Sequence, residues 1–210
     1  MAKNILDTIV KQKRLEVLKR KRDYPLSSLA SYESYRRKTN RIEFSKGDEK
    51  AGIIAEFKRK SPSRGLIHPD ADPVEIATAY DAAGVSAMSI LTDQSFFGGS
   101  LLDLKQVREA CPHLVLLRKD FIIDSYQLHE ASAYGADMIL LIAAVLESHE
   151  IEDLALEAAS LGLNTLFEVH HKGELEKYHQ EIRFVGVNNR DLKTFKVDTG
   201  RSHELIGAFP

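Results

Sequence analysis

Six short apolar runs recur along the chain, each followed by a stretch of helical spacing. The runs are IIAEFKR (53–59), AMSILT (87–92), LVLLRKD (114–120), MILLIA (138–143), TLFEVH (165–170) and RFVGVNN (183–189). The helical candidates between them are PVEIATAYDAAG, LLDLKQVREA, SYQLHEASAYG, SHEIEDLALEAASLG and KGELEKYHQ, with SHELIGAF after the last run. Gly84, Gly135 and Gly162 stand just before strands, where glycine ends a helix. The first fifty residues differ. They predict helices only, one with a stripe of Ile5, Ile9, Leu15 and Leu18, and a polar one over residues 27–38. The chain therefore divides into an N-terminal helical extension, 1–50, and an alternating α/β domain, 51–210.

Strand and helix alternating six times predicts right-handed crossovers and a parallel sheet, doubly wound or closed as a barrel. No GxGxxG follows the first run, so a dinucleotide-binding sheet has little support. Polar residues stand at the ends of many runs: Glu56 and Lys58, Lys119, Glu168, then Asn188 and Arg190. Side chains delivered from the C-terminal ends of several parallel strands are the pattern of a (β/α)8 TIM barrel. The runs repeat about every 26 residues, and a typical barrel needs roughly 250. Six βα units are present and the chain stops at Pro210, so a partial barrel of strands one to six is expected.

Composition changes this picture little. The chain is 43% hydrophobic and 29% charged with a net charge of −2, which gives no reason to expect a nucleic acid or an anionic membrane as partner. Its one basic stretch, Lys11 to Arg22, alternates with apolar residues and reads as a solvated amphipathic helix. No apolar run is long enough to span a membrane, and the N-terminus lacks the apolar core of a signal peptide. The single cysteine, Cys111, excludes an intrachain disulfide framework and fits a reducing cytoplasm.

The candidate chemistry begins in AGIIAEFKRKSPSRG (51–65). Side chains two apart on a strand share a face, so Glu56 and Lys58 lie on the face of Ile54. If that face is the core, two charges are buried there, which is costly unless they are paired or used. A structural ion pair and a catalytic pair both fit. Lys119 shares a face with Leu117 and Phe121, and Glu168 with Leu166. Taken alone, the RKD at 118–120 is a solvated strand end. Asn188 follows Gly186 by two, while Asn189 points the other way.

The stretch IIAEFKRKSPSRG resembles the signature of the indole-3-glycerol phosphate synthase family. LTDQSFFGGSLLDL (91–104), LRKDFIID (117–124), GADMILLIAAVL (135–146), LFEVH (166–170) and GVNNRDLKTFKVD (186–198) resemble the same family in order and spacing. The resemblance implies a (β/α)8 barrel of tryptophan biosynthesis. Such an enzyme converts 1-(2-carboxyphenylamino)-1-deoxyribulose 5-phosphate to indole-3-glycerol phosphate, carbon dioxide and water, with no metal or organic cofactor. It implies that Lys119 is the general acid, and that Glu56 and Lys58 do acid–base work and hold the anthranilate carboxylate. It further implies that Glu168 and Asn188 surround the reacting ring, that Arg190 and Ser61 bind substrate, and that Phe97 and Phe121 wall the anthranilate pocket. The family places a serine after the seventh strand and a phosphate loop at the eighth. The chain ends before either, so weak phosphate binding and little activity are expected of these 210 residues.

The remaining features carry less. His170–His171 comes without HExxH or CxxC, so no metal site is expected. FFGGS (96–100) reads as a turn before a helix that Ser100 caps. A sister barrel, phosphoribosylanthranilate isomerase, lacks the EFKRKSPS strand. A catalytically inactive barrel fragment or folding module is the alternative of another class. In either case six strands leave two sheet edges, and self-association through them is expected.

Overall fold

The computed structural model describes residues 5–42, 52–191 and 196–209. Each of the six apolar runs forms a strand: β1 Ile54–Phe57, β2 Ala87–Leu91, β3 Leu116–Lys119, β4 Met138–Ile142, β5 Asn164–Val169 and β6 Phe184–Val187. All pairings among these six are parallel, and their order in the sheet is their order in the chain; after β1, Lys60–Ser61 and Gly65–Leu66 form a small antiparallel pair of their own. The register sets Leu91 beside Lys119, Ile142 beside Glu168, and Glu168 beside Gly186. The polar strand ends therefore lie along one rim of the sheet.

Two apolar layers explain why the strands read as nearly continuous hydrophobic runs. Met88, Ile90, Leu116, Ile139, Leu141, Phe167 and Val169 face the helices and form the larger core. Ala87, Val115, Leu117, Met138, Leu140 and Ile142 alternate with them and pack together on the opposite, inner face. Phe167 is wholly buried. Burying a side chain of its size stabilises the fold by roughly 1.5–3 kcal/mol.

The crossovers hold α3 Pro73–Ala82, α4 Gln94–Phe97, α5 Leu101–Ala110, α6 Tyr126–Ala133 and α7 Ser148–Ser160. The caps are local. Asp72 accepts from the N–H groups of Val74 and Glu75, with Pro73 opening α3. Ser100 accepts from Leu102 N–H and caps α5, as its position in FFGGS predicts. After β5 the expected helix is a six-residue 3₁₀ turn, Lys172–Lys177. The last helix, α8, runs Gly200–Ile206.

The N-terminal extension departs from expectation in three ways. In α1, Ile5–Asp23, the buried stripe is Leu6, Ile9, Lys13 and Val17, while Leu15 and Leu18 are exposed. The basic stretch is therefore not solvated throughout, because Lys13 points inward. The polar helix expected over 27–38 shrinks to α2, Leu26–Leu29, followed by turns. The rest of the extension, residues 43–50, lies outside the described residues. Both helices pack on α6: Val17 and Leu29 share a cluster with Tyr126 and Ala133. Among the described residues, no helix is long and apolar enough to cross a membrane.

Candidate active site

A cavity of about 550 Å³ opens at the C-terminal rim of the sheet. Each strand reaches it with the residue that ends its inward-facing series. Glu56 comes from β1 and Lys58 follows it; Lys119 ends β3, Glu168 lies near the end of β5, and Asn188 and Arg190 follow β6. Ser61 comes from the loop after β1, and Phe97 and Phe121 from the segments after β2 and β3. All nine residues singled out in the sequence thus line one cavity. Its apolar floor is Leu91, Leu140 and Ile142.

Glu56 and Lys58 form an ion pair with each other, but not in the core. Ile54 is 38% exposed, and the two charged side chains keep about a third of their surface. β1 is an edge of the sheet, so this face meets solvent and the cost of deep burial does not arise. On the far side, Glu168 Oε1 accepts from Asn188 Nδ2 at 3.1 Å, and Glu168 Oε2 lies 3.8 Å from Lys119 Nζ. Asn188 Oδ1 accepts from the Arg190 N–H, which ties both residues into one turn. Asn189 points away and bonds Ser202. Ser61 Oγ accepts from Arg64 N–H, so the serine-rich loop folds back beside the cavity. The Phe97 and Phe121 rings are 6.0 Å apart and tilted by 36°.

The RKD stretch is not a solvated end. Arg118 and Asp120 are both buried, and Asp120 also lines the cavity. Asp120 Oδ2 accepts from Thr92 Oγ1 at 2.7 Å and Arg118 Nη2 at 3.1 Å. Its other oxygen accepts from Phe121 N–H and lies 2.9 Å from Lys13 Nζ. Burial alone would raise the Asp120 carboxyl's pKa; the charges of Lys13 and Arg118 outweigh it and hold the group far below the carboxylate range. Burial likewise works against the Lys13 ammonium, and Asp120 and Asp93 together raise it above the ordinary lysine value.

Lys13 also lies 2.8 Å from Asp93 and from Glu16, and Glu16 accepts from Ser95. Asp93 caps α4, the short helix that carries Phe97. One buried lysine of the extension therefore pins both segments that bring the aromatic residues to the cavity. Ile5, Leu6 and Ile9 of α1 complete the wall. None of these is a site candidate in the sequence, where Ile5 and Ile9 figure only in the helix stripe. Their only signal there is a helix periodicity that, read in its true phase, puts a lysine on the apolar stripe.

Lys58, Lys119, Glu56, Glu168 and Arg190, around an apolar floor with an aromatic side wall, make a site suited to acid–base chemistry on an anion with a flat apolar part. Placed at the C-terminal rim of parallel strands, it belongs to the barrel enzymes. Comparison with known proteins narrows this. The family model described as indole-3-glycerol phosphate synthase matches residues 6–210. Proteins named indole-3-glycerol phosphate synthase are similar to the chain. That of Bacteroides thetaiotaomicron is 43% identical over 99% of this chain and 80% of its own length. That of Desulfosudis oleivorans is 48% identical over 75% of this chain and 60% of its own, and that of Neisseria meningitidis serogroup C 50% identical over 74% and 60%. The chain belongs to the indole-3-glycerol phosphate synthase family, a (β/α)8 barrel family of tryptophan biosynthesis, and forms six of its βα units.

Proposed function

We propose that this site closes the indole ring of 1-(2-carboxyphenylamino)-1-deoxyribulose 5-phosphate, releasing carbon dioxide and water to give indole-3-glycerol phosphate. The observation that carries the reading is the meeting of Lys119, Glu168 and Asn188 on one side of a cavity whose opposite side holds the Glu56–Lys58 pair. The carboxylate-bearing ring carbon attacks the ketone carbon. Lys119 gives a proton to the ketone oxygen, which would otherwise take the full negative charge. Carbon dioxide leaves from the attacking carbon. Its bonding pair restores the benzene ring; the new hydroxyl then takes a proton and departs as water, and loss of a proton from the neighbouring carbon completes the indole ring.

Glu168, held by Asn188 and facing Lys119, is placed to take that proton and pass it on. Lys58, steadied by Glu56, faces the anthranilate carboxylate, and Arg190 and Ser61 take the polar sugar end. Phe97 and Phe121 flank the aromatic ring. We also infer that the substrate is the only small molecule needed, that the reaction runs in the cytoplasm, and that the chain meets its own copies through its sheet edges.

Lys119→Ala tests the central role. It removes a proton donor with a quarter of its surface exposed, not a core residue. Turnover, followed by indole-3-glycerol phosphate fluorescence, should fall roughly 10²–10⁴-fold, with the circular dichroism spectrum unchanged. A folded variant that retains turnover would remove Lys119 from the mechanism.

A further inference from the structure

Glu168 has one firm side-chain hydrogen bond, from Asn188, and its other oxygen faces Lys119. Two residues further on, His170 is buried, and neither of its ring nitrogens has a hydrogen-bond partner among the described residues. The ring lies between two carboxylates. Nε2 is 3.7 Å from Glu168 Oε1, and Nδ1 is 3.5 Å from Glu174 Oε2. Glu174 belongs to the 3₁₀ turn after β5 and accepts the His170 backbone N–H at 2.6 Å. Its other oxygen is 3.2 Å from Nε2 of the exposed His171. Burial alone would raise the Glu174 carboxyl's pKa; the contacts with His170 outweigh it and hold the group below the ordinary range. The His170 backbone is thus anchored to Glu174, and the ring stands just short of a carboxylate on either side, that of Glu168 being the one in the cavity.

A buried ring nitrogen without a partner is costly. Shortening the Glu168 contact to a normal hydrogen bond takes a movement of about 0.5–1 Å. Hydrogen bonds of working sites are often long in the empty protein and tighten when substrate binds. We propose that His170 is the positioning residue for Glu168: it donates Nε2–H to the edge of the carboxylate away from Lys119, so that Glu168 does not swing across and lock the lysine in an ion pair. Lys119 then keeps its proton available to the substrate. The inference rests on the proton role given above to Glu168.

Turnover and a spectroscopic measurement test it separately. His170→Ala should lower kcat about tenfold with KM unchanged, the order of loss when an outer partner that orients a working group is removed. His170→Gln keeps an N–H of similar reach and should recover most of the loss. A kcat unchanged in folded His170→Ala, or His170→Gln as impaired as His170→Ala, would overturn the proposal. In the ¹⁵N spectrum of the imidazole nitrogens, Glu168→Gln should displace the Nε2 resonance of His170. An unmoved Nε2 resonance overturns the proposal on the chain itself, whatever its turnover and whether or not His170→Ala folds. A displaced resonance in a Glu168→Gln variant that keeps its turnover would sustain the contact and sink the proton role of Glu168.

Discussion

Lys13 brings one positive charge into contact with three carboxylates, those of Glu16, Asp93 and Asp120, and its side chain is 3% exposed. Lys13→Met should therefore destabilise the protein by about 3–5 kcal/mol in urea unfolding, because buried carboxylates lose their counter-charge. The pH dependence follows from the same contacts. Asp120 is held below its unfolded pKa, so its contribution is complete above the ordinary carboxylate value and is lost as pH falls through the depressed one. Lys13 is held above its unfolded value, so its contribution is complete below the ordinary lysine pKa and is lost as pH rises through the raised one. Melting temperature should be insensitive to this node from about pH 4 to pH 10. In Lys13→Met the acid limb should move toward neutral pH, and an acid limb that stays in place would remove Lys13 as the main support of Asp120. The sequence conceals this residue. It is one of seven lysines and arginines between Lys11 and Arg22, a pattern that reads as solvated, and only docking of α1 decides which cation turns inward.

At the scale of the element, legibility tracks periodicity. Alternation along β3 places Leu117, Lys119 and Phe121 on one face in sequence and structure alike, and the same holds for Leu166 and Glu168 in β5. Arg118 and Asp120 look solvated in the sequence because their partners, Thr92, Glu130 and Lys13, come from three other segments. The phase of α1 is hidden for the same reason: its apolar residues satisfy more than one stripe, and docking on the barrel selects one. The turn before α5 is fixed locally and more tightly. A Cβ on Gly99 would lie 2.0 Å from the Leu91 carbonyl oxygen, and backbone at a strand end cannot yield that far. Gly99→Ala should therefore lower stability by roughly 1–3 kcal/mol and displace the neighbouring segment that carries Phe97. Calorimetry and the KM for the anthranilate-bearing substrate would register the two effects. An unchanged melting temperature would show that the loop relaxes freely.

At the scale of the molecule, the sheet has two edges among the described residues, β1 and β6. Beside β1, Ile53 is 62% exposed. Unpaired strand edges with apolar neighbours invite pairing with another chain. Sedimentation velocity of the 210-residue chain should show dimers or larger species that increase with concentration, and a single monomer boundary at all concentrations would refute this.

The strand order has a consequence in time. Each strand pairs with the one made just before it, so the sheet can lengthen as the chain leaves the ribosome, every new strand meeting a finished partner. The extension cannot follow that schedule. Arg20 meets Glu130 across 110 residues of sequence, and Lys13 meets Asp120 across a similar gap. At 5–20 residues per second, synthesis of that interval lasts roughly 5–20 s. Helix α1 thus cannot dock until α6 has been made, and for that interval Leu6, Ile9 and Val17 must wait in water, where chaperones have their first opportunity to bind.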